Sequence, residues 1–127
     1  MGRILLVAAL LGASAAQACG YCVEDKIAAT YDHAVITRAL AQKHHVVFMH
    51  VDGAAPSRAV LEQAIYAAAA VDRGSARVSV DLLTVSFAFD PARGTLGTIH
   101  ARIEKRLAAH RVSLMPLEVM ERPAQPK

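Results

Sequence analysis

Near the start of the chain, apolar side chains recur at the spacing of an α-helix. The stretch from Cys22 to Lys43 contains no glycine or proline. Four of its apolar positions fall at spacings of three and four, so they form one stripe: Ile27, Tyr31, Ala34 and Val35. Acidic residues begin the stretch and basic residues end it, which is the order that the helix dipole favours. The pattern predicts one long N-terminal helix.

Beyond this helix, strand-like and helix-like segments alternate. Runs rich in valine and aromatic residues, or apolar at every second position, predict four strands: 45–51, 77–81, 84–90 and 111–120. Apolar residues at helical spacing predict two further helices, 57–71 and 95–109. The order βαββαβ is that of the ferredoxin-like sandwich. In this α+β fold, two helices cover one face of a four-stranded antiparallel sheet.

The second face of that sheet would be left open to water. It would carry side chains of the first and third strands: Val46, Phe48, His50, Thr84, Ser86 and Ala88. Val46 and Phe48 are too apolar to remain in water. We therefore expect the N-terminal helix to lie across this open face or along its edge.

Pro116 stands inside the last predicted strand. Because a proline has no N–H for the strand ladder, this strand is expected at an edge of the sheet or with a bulge. Two more prolines follow in residues 121–127, which are expected to form a flexible tail.

The first eighteen residues have the pattern of a secretory signal peptide. A short cationic start precedes an unbroken apolar run, Ile4–Leu11, and Ala16-Gln17-Ala18 fits the small residues that a signal peptidase accepts. The run is shorter than the ~20 residues that a membrane-spanning helix needs. We expect removal of residues 1–18, export to the periplasm and no transmembrane segment in the remainder.

Removal of the signal peptide would leave Cys19 as the first residue. A lipid anchor on Cys19 stays open, although the leucine usual three positions before a lipidated cysteine is Ala16 here. A buried N-terminal helix is a further interpretation of the segment. The expected organisation is a signal peptide at 1–18, a C-x-x-C motif with a helix at 19–44, the sandwich at 45–120 and the tail at 121–127.

Composition and charge exclude several classes of function. The 127 residues are 54% apolar and 20% charged, which suits one globular domain. The formal charge is +3 without a Lys/Arg run, and tryptophan is absent, so no nucleic-acid partner is expected. Ser, His and Asp residues show no recognisable catalytic spacing, and no glycine-rich phosphate loop is present. An enzyme is therefore not expected, apart from thiol–disulfide chemistry.

Several segments of the predicted sandwich carry a family resemblance: Val51-Asp52-Gly53, Val78–Leu82, Val85–Pro91, and Thr95-Leu96 leading into Ile99 and Ile103. On these segments, residues 45–120 resemble the heavy-metal-associated domains of copper chaperones and metal-pumping ATPases. The resemblance implies a ferredoxin-like fold and the handling of copper.

The metal-binding loop of that family does not carry over. Its Met-x-Cys-x-x-Cys pattern follows the glycine, so its methionine falls on Ala54 and its cysteines fall on Pro56 and Ala59. None of these three side chains can bind a metal ion. Any metal site would lie elsewhere in the chain.

Cys19-Gly20-Tyr21-Cys22 places two thiols at C-x-x-C spacing where the N-terminal helix begins. The helix dipole is expected to lower the pKa of a thiol there, and thiolates bind soft Cu(I). Two thiolates suit linear Cu(I), whereas a closed Zn²⁺ site needs two more ligands. We expect Cys19 and Cys22 to bind Cu(I), with Zn²⁺ the less favoured ion.

Two other interpretations of the motif stay open. It resembles the active site of periplasmic thiol–disulfide isomerases, but those place it after the first strand of a thioredoxin fold, and here only the predicted signal peptide precedes it. The two cysteines of an exported protein can also form a structural disulfide. The alternatives are therefore a redox protein and a binding module with a structural disulfide.

Histidines are the second group of candidate metal ligands. His50 would share the open face with Phe48, and His33 lies in the N-terminal helix. His33 and Cys22 would stand about 16 Å apart along one continuous helix, so they would not share an ion, but either one could approach His50. For each histidine alone, a solvated or hydrogen-bonded side chain is the alternative.

The leading hypothesis is an exported, non-enzymatic protein that handles Cu(I). Its partners would be the metal ion and another exported metal-handling protein. Arg102, Lys105 and Arg106 are expected to form a solvated helix face with no part in this function.

Overall fold

The computed structural model describes residues 22–54 and 56–123. The helices are α1 (Val23–Thr30), α2 (His33–Ala41), α3 (Arg58–Tyr66) and α4 (Leu96–Leu107), and a 3₁₀ turn, Ala108–His110, extends α4. The strands are β1 (His45–Gly53), β2 (Arg77–Ser79), β3 (Thr84–Phe89) and β4 (Val112–Met120). The predicted signal peptide, Cys19 and the last four residues of the predicted tail lie outside the described residues.

The four strands form one antiparallel sheet in the order β2-β3-β1-β4. Helices α3 and α4 pack on one face of it, and both are shorter than predicted. The predicted ferredoxin-like α+β fold is confirmed. In the described part of the chain, no helix is long and apolar enough to cross a membrane.

Both faces of the two central strands, β1 and β3, are buried. Toward α3 and α4, alternate residues of both strands, including Val47 and Phe87, build the larger core. Toward α1 and α2, a smaller core joins Val46, Phe48 and Ala88 to the N-terminal helices. The N-terminal segment therefore covers the face that a two-helix sandwich leaves open, as the sequence predicts.

The N-terminal segment is two helices, so the prediction of one long helix was wrong. The chain leaves helical geometry at Tyr31 and Asp32, where ψ is 124° and 107°. Asp32 Oδ1 accepts a hydrogen bond from the Val35 N–H at 3.2 Å and caps α2. The Ser86 hydroxyl of β3 donates to the Thr30 carbonyl at 3.1 Å, which satisfies the end of α1. An aspartate can thus end a helical run without glycine or proline.

The break changes which side chains face the sheet. Tyr31 and Ala34, two members of the predicted stripe, are exposed, whereas Ile36 and Ala39 of α2 are buried. Two short helices can each turn an apolar side toward a twisted sheet, which a single straight helix cannot follow.

The second predicted strand is also shorter than expected. β2 ends at Ser79, whose Oγ accepts a hydrogen bond from the Leu82 N–H at 3.3 Å and so begins the turn to β3. Leu83 completes this turn with a φ of 52°. Val80, inside the predicted strand 77–81, is therefore 42% exposed in the turn.

Pro116 lies in β4, which is an edge strand of the sheet. The ladder between β1 and β4 shifts register between Phe48 and Met49, so β4 also contains a bulge. Both arrangements expected of Pro116 therefore occur. Beyond the bulge, Leu117 and Met120 pack on the side of α2.

Side chains of α4 bond to the backbone of this edge strand. The Leu114 N–H donates to Glu104 Oε1 at 3.0 Å, and the Leu114 carbonyl accepts from His100 Nε2 at 2.7 Å. His100 is therefore half-buried. Both polar backbone groups of Leu114 are thus satisfied by α4, on the side of β4 where the sheet has no further strand.

Replacing Asp32 with asparagine should reduce stability most at neutral pH. The Val35 N–H and the Arg77 guanidinium, whose Nε lies 3.0 Å from Oδ2, hold the pKa of Asp32 below its ordinary value of 3.8. A carboxyl group with a lowered folded-state pKa stabilises the fold above its unfolded-state pKa. That contribution is lost as the pH falls through the folded-state pKa.

Urea unfolding of wild type and Asp32→Asn from about pH 2 to about pH 7 measures this contribution. The wild-type advantage should be complete above about pH 5 and should shrink toward the acid end. Asp81→Asn, at an exposed carboxylate in the β2–β3 turn, is the control. A difference that stays constant with pH would contradict the charge-based explanation.

Phe48→Ala should lower the free energy of unfolding by about 3–5 kcal/mol, because this fully buried ring holds the N-terminal helices against β1. Val119→Ala, on the exposed part of β4, should change it by less than about 0.5 kcal/mol. Trypsin should also cut Phe48→Ala faster after Lys26 and Arg38. Unchanged stability and cleavage would mean that the N-terminal layer contributes little to the fold.

Candidate functional site

Cys22 is the residue directly before α1, and its side chain is exposed. The thiol donates to Asp25 Oδ2 at 3.2 Å, and the Cys22 carbonyl accepts the Lys26 N–H at 3.2 Å. One sulfur of the predicted C-x-x-C motif is therefore held at the start of a helix and open to solvent. Cys19, the other half of the motif, lies outside the described residues.

Lys26, one turn into α1, fixes the position of this helix on the sheet. Its Nζ donates to the Leu82 carbonyl in the β2–β3 turn at 2.7 Å and lies 3.2 Å from His50 Nδ1 near the end of β1. The opposite end of α1 is held by the bond between Ser86 and Thr30. The Cys22 end of α1 therefore lies at the end of the sheet where β1 finishes and β3 begins.

The loop after β1 leaves the same end of the sheet. It begins at Gly53, whose φ of 108° favours glycine, and continues through Ala54 and Pro56 toward α3. This is the loop onto which the metal-binding pattern of the heavy-metal-associated domains falls. Cys22 thus reaches that end of the fold from α1, on the opposite face of the sheet from α3.

The pKa of the Cys22 thiol is raised rather than lowered. The Asp25 backbone N–H lowers it, as expected at a helix start, but the Asp25 carboxylate, which accepts the thiol hydrogen, and the nearby Glu24 carboxylate together raise it by more. The expectation of a lowered pKa was therefore wrong. That prediction rested on the helix dipole alone. It left out the carboxylates of Asp25 and Glu24, which lie near the sulfur in the same first turn.

His50 is half-buried under α1, and its Nδ1 faces Lys26. A lysine ammonium donates to the lone pair of Nδ1, which places the ring proton on Nε2. In this arrangement neither nitrogen of His50 offers a lone pair to a metal ion. Lys26 therefore competes directly with any metal ion for His50.

His33 is exposed in the first turn of α2, and its Nε2 lies 3.4 Å from the Thr37 hydroxyl. Because the helix breaks after Thr30, His33 and Cys22 stand on different helices. Within residues 22–54 and 56–123, no three or more His, Cys, Asp or Glu side chains come together in a group that could hold a metal ion. The described residues therefore do not join Cys22, His33 and His50 in one centre.

Another histidine has a structural role that the sequence did not reveal. His44 Nδ1 lies 2.7 Å from Asp72 Oδ2, and its Nε2 lies 3.7 Å from Asp90 Oδ2. These contacts tie the loop after α2 to the loop before β2 and to the loop after β3. The adjacent pair His44 and His45 was the only sequence signal, and it does not indicate which carboxylates the fold brings near.

Comparisons with known proteins do not place the chain in a family. No family model matches it, and no curated protein matches it. A solved crystal structure of a copper-binding domain from HMA7, a P-type ATPase, is similar, with a TM-score of 0.49 and 18% sequence identity over 59% of this chain and 96% of that one. A likeness this distant assigns neither a family nor a ligand.

Asp25→Asn should lower the pKa of Cys22, because it removes a charged acceptor of the thiol hydrogen and keeps the backbone N–H. The rate of alkylation by iodoacetamide, followed against pH in a Cys19→Ser background, reports the thiolate of Cys22 alone. Glu62→Gln, on α3 at the other face of the sheet, is the control. An unchanged or higher pKa in Asp25→Asn would contradict the assigned cause.

Proposed function

We propose that this is an exported metal-binding protein that holds Cu(I) between Cys19 and Cys22. The observation that carries the proposal is the position of Cys22, an exposed thiol at the first turn of a helix that Lys26 and Ser86 fasten to the sheet. The sequence places a second thiol three residues earlier. Two sulfur ligands at one end of an anchored helix make a soft donor set for Cu(I).

The raised pKa of Cys22 favours metal binding over thiol–disulfide exchange. Exchange needs a free thiolate at neutral pH, and the carboxylates of Asp25 and Glu24 reduce its population. A metal ion instead displaces the thiol proton when it binds, so affinity falls as the pH falls but is not abolished. The redox interpretation of the motif is therefore the weaker one.

Cu(I) suits the motif better than Zn²⁺ because two thiolates complete a linear copper site, whereas structural zinc takes four ligands. The resemblance of residues 45–120 to heavy-metal-associated domains points to the same ion. His50 and His33 act as hydrogen-bonding residues in this proposal, since their ring nitrogens face Lys26 and Thr37.

The protein would act in the periplasm, because residues 1–18 are predicted to be a signal peptide for export. Removal of this peptide would make Cys19 the first residue. In the proposed form Cys19 carries a free thiol, because a lipid on that sulfur would remove one of the two ligands. The partner in metal transfer would be another exported metal-handling protein.

The test is the intact mass of the protein, expressed with its own N-terminus, purified without chelator, and then reduced and supplied with Cu(I). Native mass spectrometry should give a chain that starts at Cys19 and holds one copper ion in the presence of a moderate Cu(I) chelator. Cys19→Ser and Cys22→Ser should each lose the ion, because one sulfur cannot hold it alone.

Two histidine variants are the matched controls. His50→Asn and His33→Asn should keep one copper ion at unchanged affinity, since neither ring is a ligand in the proposed site. A reduced wild-type protein that does not retain copper would overturn the proposal. A mass two protons short that resists reduction would favour a structural disulfide and a binding module.

A further inference from the structure

A furrow runs between α3 and α4 on the face of the molecule turned away from α1. It has a volume of about 570 Å³ and is lined by Ala67, Thr98, Ala101, Arg102, Lys105 and Arg106. It continues past Glu62 and Tyr66 at one end and toward Arg93 at the other. We call this depression the α3–α4 furrow.

The cations of the α3–α4 furrow form no ion pair with the described residues. Arg102, Lys105 and Arg106 are exposed, and the ion pairs found among the described residues are made by His44, His45, His100 and Arg77 instead. Glu104, the only carboxylate of α4, is turned away to the backbone of β4. The acidic side chain of α4 and its basic side chains therefore lie on different sides of the helix.

The floor of the furrow is built from short side chains. Ala67 of the turn after α3 and Ala101 of α4 leave the space from which the basic side chains rise. A chain segment can therefore enter between the cations with its backbone close to the helices. A flat anionic surface would meet the tips of the same side chains and leave this space empty.

The spacing of the cations fits a particular arrangement of anions. Arg102 and Arg106 stand one helical turn apart, about 6 Å. Carboxylates on alternate residues of an extended chain are separated by about 6.5–7 Å. Arginine binds a carboxylate with two parallel hydrogen bonds, which makes such a match specific in geometry as well as in charge.

We propose that the α3–α4 furrow docks an acidic segment of a partner protein, with carboxylates on alternate residues paired to Arg102 and Arg106. The expectation that these residues form only a solvated helix face is thereby replaced. The furrow and Cys22 lie on opposite faces of the sheet, so docking does not require metal and its test is independent of the proposed copper site.

The probe is a fluorescent twelve-residue peptide of alternating glutamate and alanine, and its counterpart with glutamine in place of glutamate. Fluorescence anisotropy at near-physiological salt should show binding of the acidic peptide to the full chain and at least about tenfold weaker binding of the neutral one, which corresponds to 1.4 kcal/mol. Amide shifts of Ala67, Thr98 and Ala101 on addition of the acidic peptide would locate it in the furrow.

Three variants separate docking in the furrow from general charge attraction. Arg102→Glu/Arg106→Glu should weaken binding at least about tenfold. Arg38→Glu/Arg122→Glu, which makes the same change in net charge at exposed positions outside the furrow, should leave it within about twofold. Ala101→Leu keeps every charge but fills the floor, and it should also weaken binding.

Equal weakening by the two charge-reversal variants would overturn the proposal, and so would undiminished binding by Ala101→Leu. Vesicles that contain phosphatidylglycerol provide the remaining test. Vesicle binding that depends on Arg102 and Arg106, without binding of the acidic peptide, would assign the surface to a membrane and would also overturn the proposal.

Discussion

The structure depends on the burial of both faces of its two central strands. All six residues of β3 are buried, and β1 is buried on both sides along most of its length. Two crossover helices can cover only one of these faces, so the chain must supply a second layer. The N-terminal helices are that layer, and removing them would expose Val46, Phe48 and Ala88 to water. Hydrophobic burial therefore brings the N-terminal helices onto this face, and the bonds of Lys26 and Ser86 then fix α1 and with it Cys22.

The layers could be predicted from the sequence because each rests on a repeating pattern. Alternation in β1 and β3 and helical spacing in α3 and α4 indicate the sandwich, and the apolar character of Val46 and Phe48 indicates the extra cover. The details that escaped prediction rest on single polar contacts between distant residues. The bond of Ser86 to Thr30, together with the cap made by Asp32, splits the helix. No pattern of neighbouring residues in the sequence predicts contacts of this kind.

In the candidate site, too, some features follow from a sequence pattern and others depend on contacts in the folded protein. The C-x-x-C spacing and its place at a helix start can be read from the sequence, but the direction of the Cys22 pKa shift could not, because it depends on where the Asp25 and Glu24 side chains point. His50 was correctly placed on the face covered by the N-terminal helices. Its partner was missed, since Lys26 reaches it only after α1 has packed on the sheet.

The backbone of Leu114 limits how molecules of this protein can meet. A sheet grows from an open edge when another strand finds free N–H and C=O groups there. Along β4, Glu104 and His100 occupy both groups of Leu114, Pro116 has no N–H to offer, and the bulge at Leu117 disrupts the spacing that a new strand would have to match. Strand addition by an identical copy, which is the first step toward fibrous aggregates, is thus disfavoured along residues 114–117 of this edge. The helical faces offer a different kind of contact, in which recognition depends on side chains and not on a shared backbone.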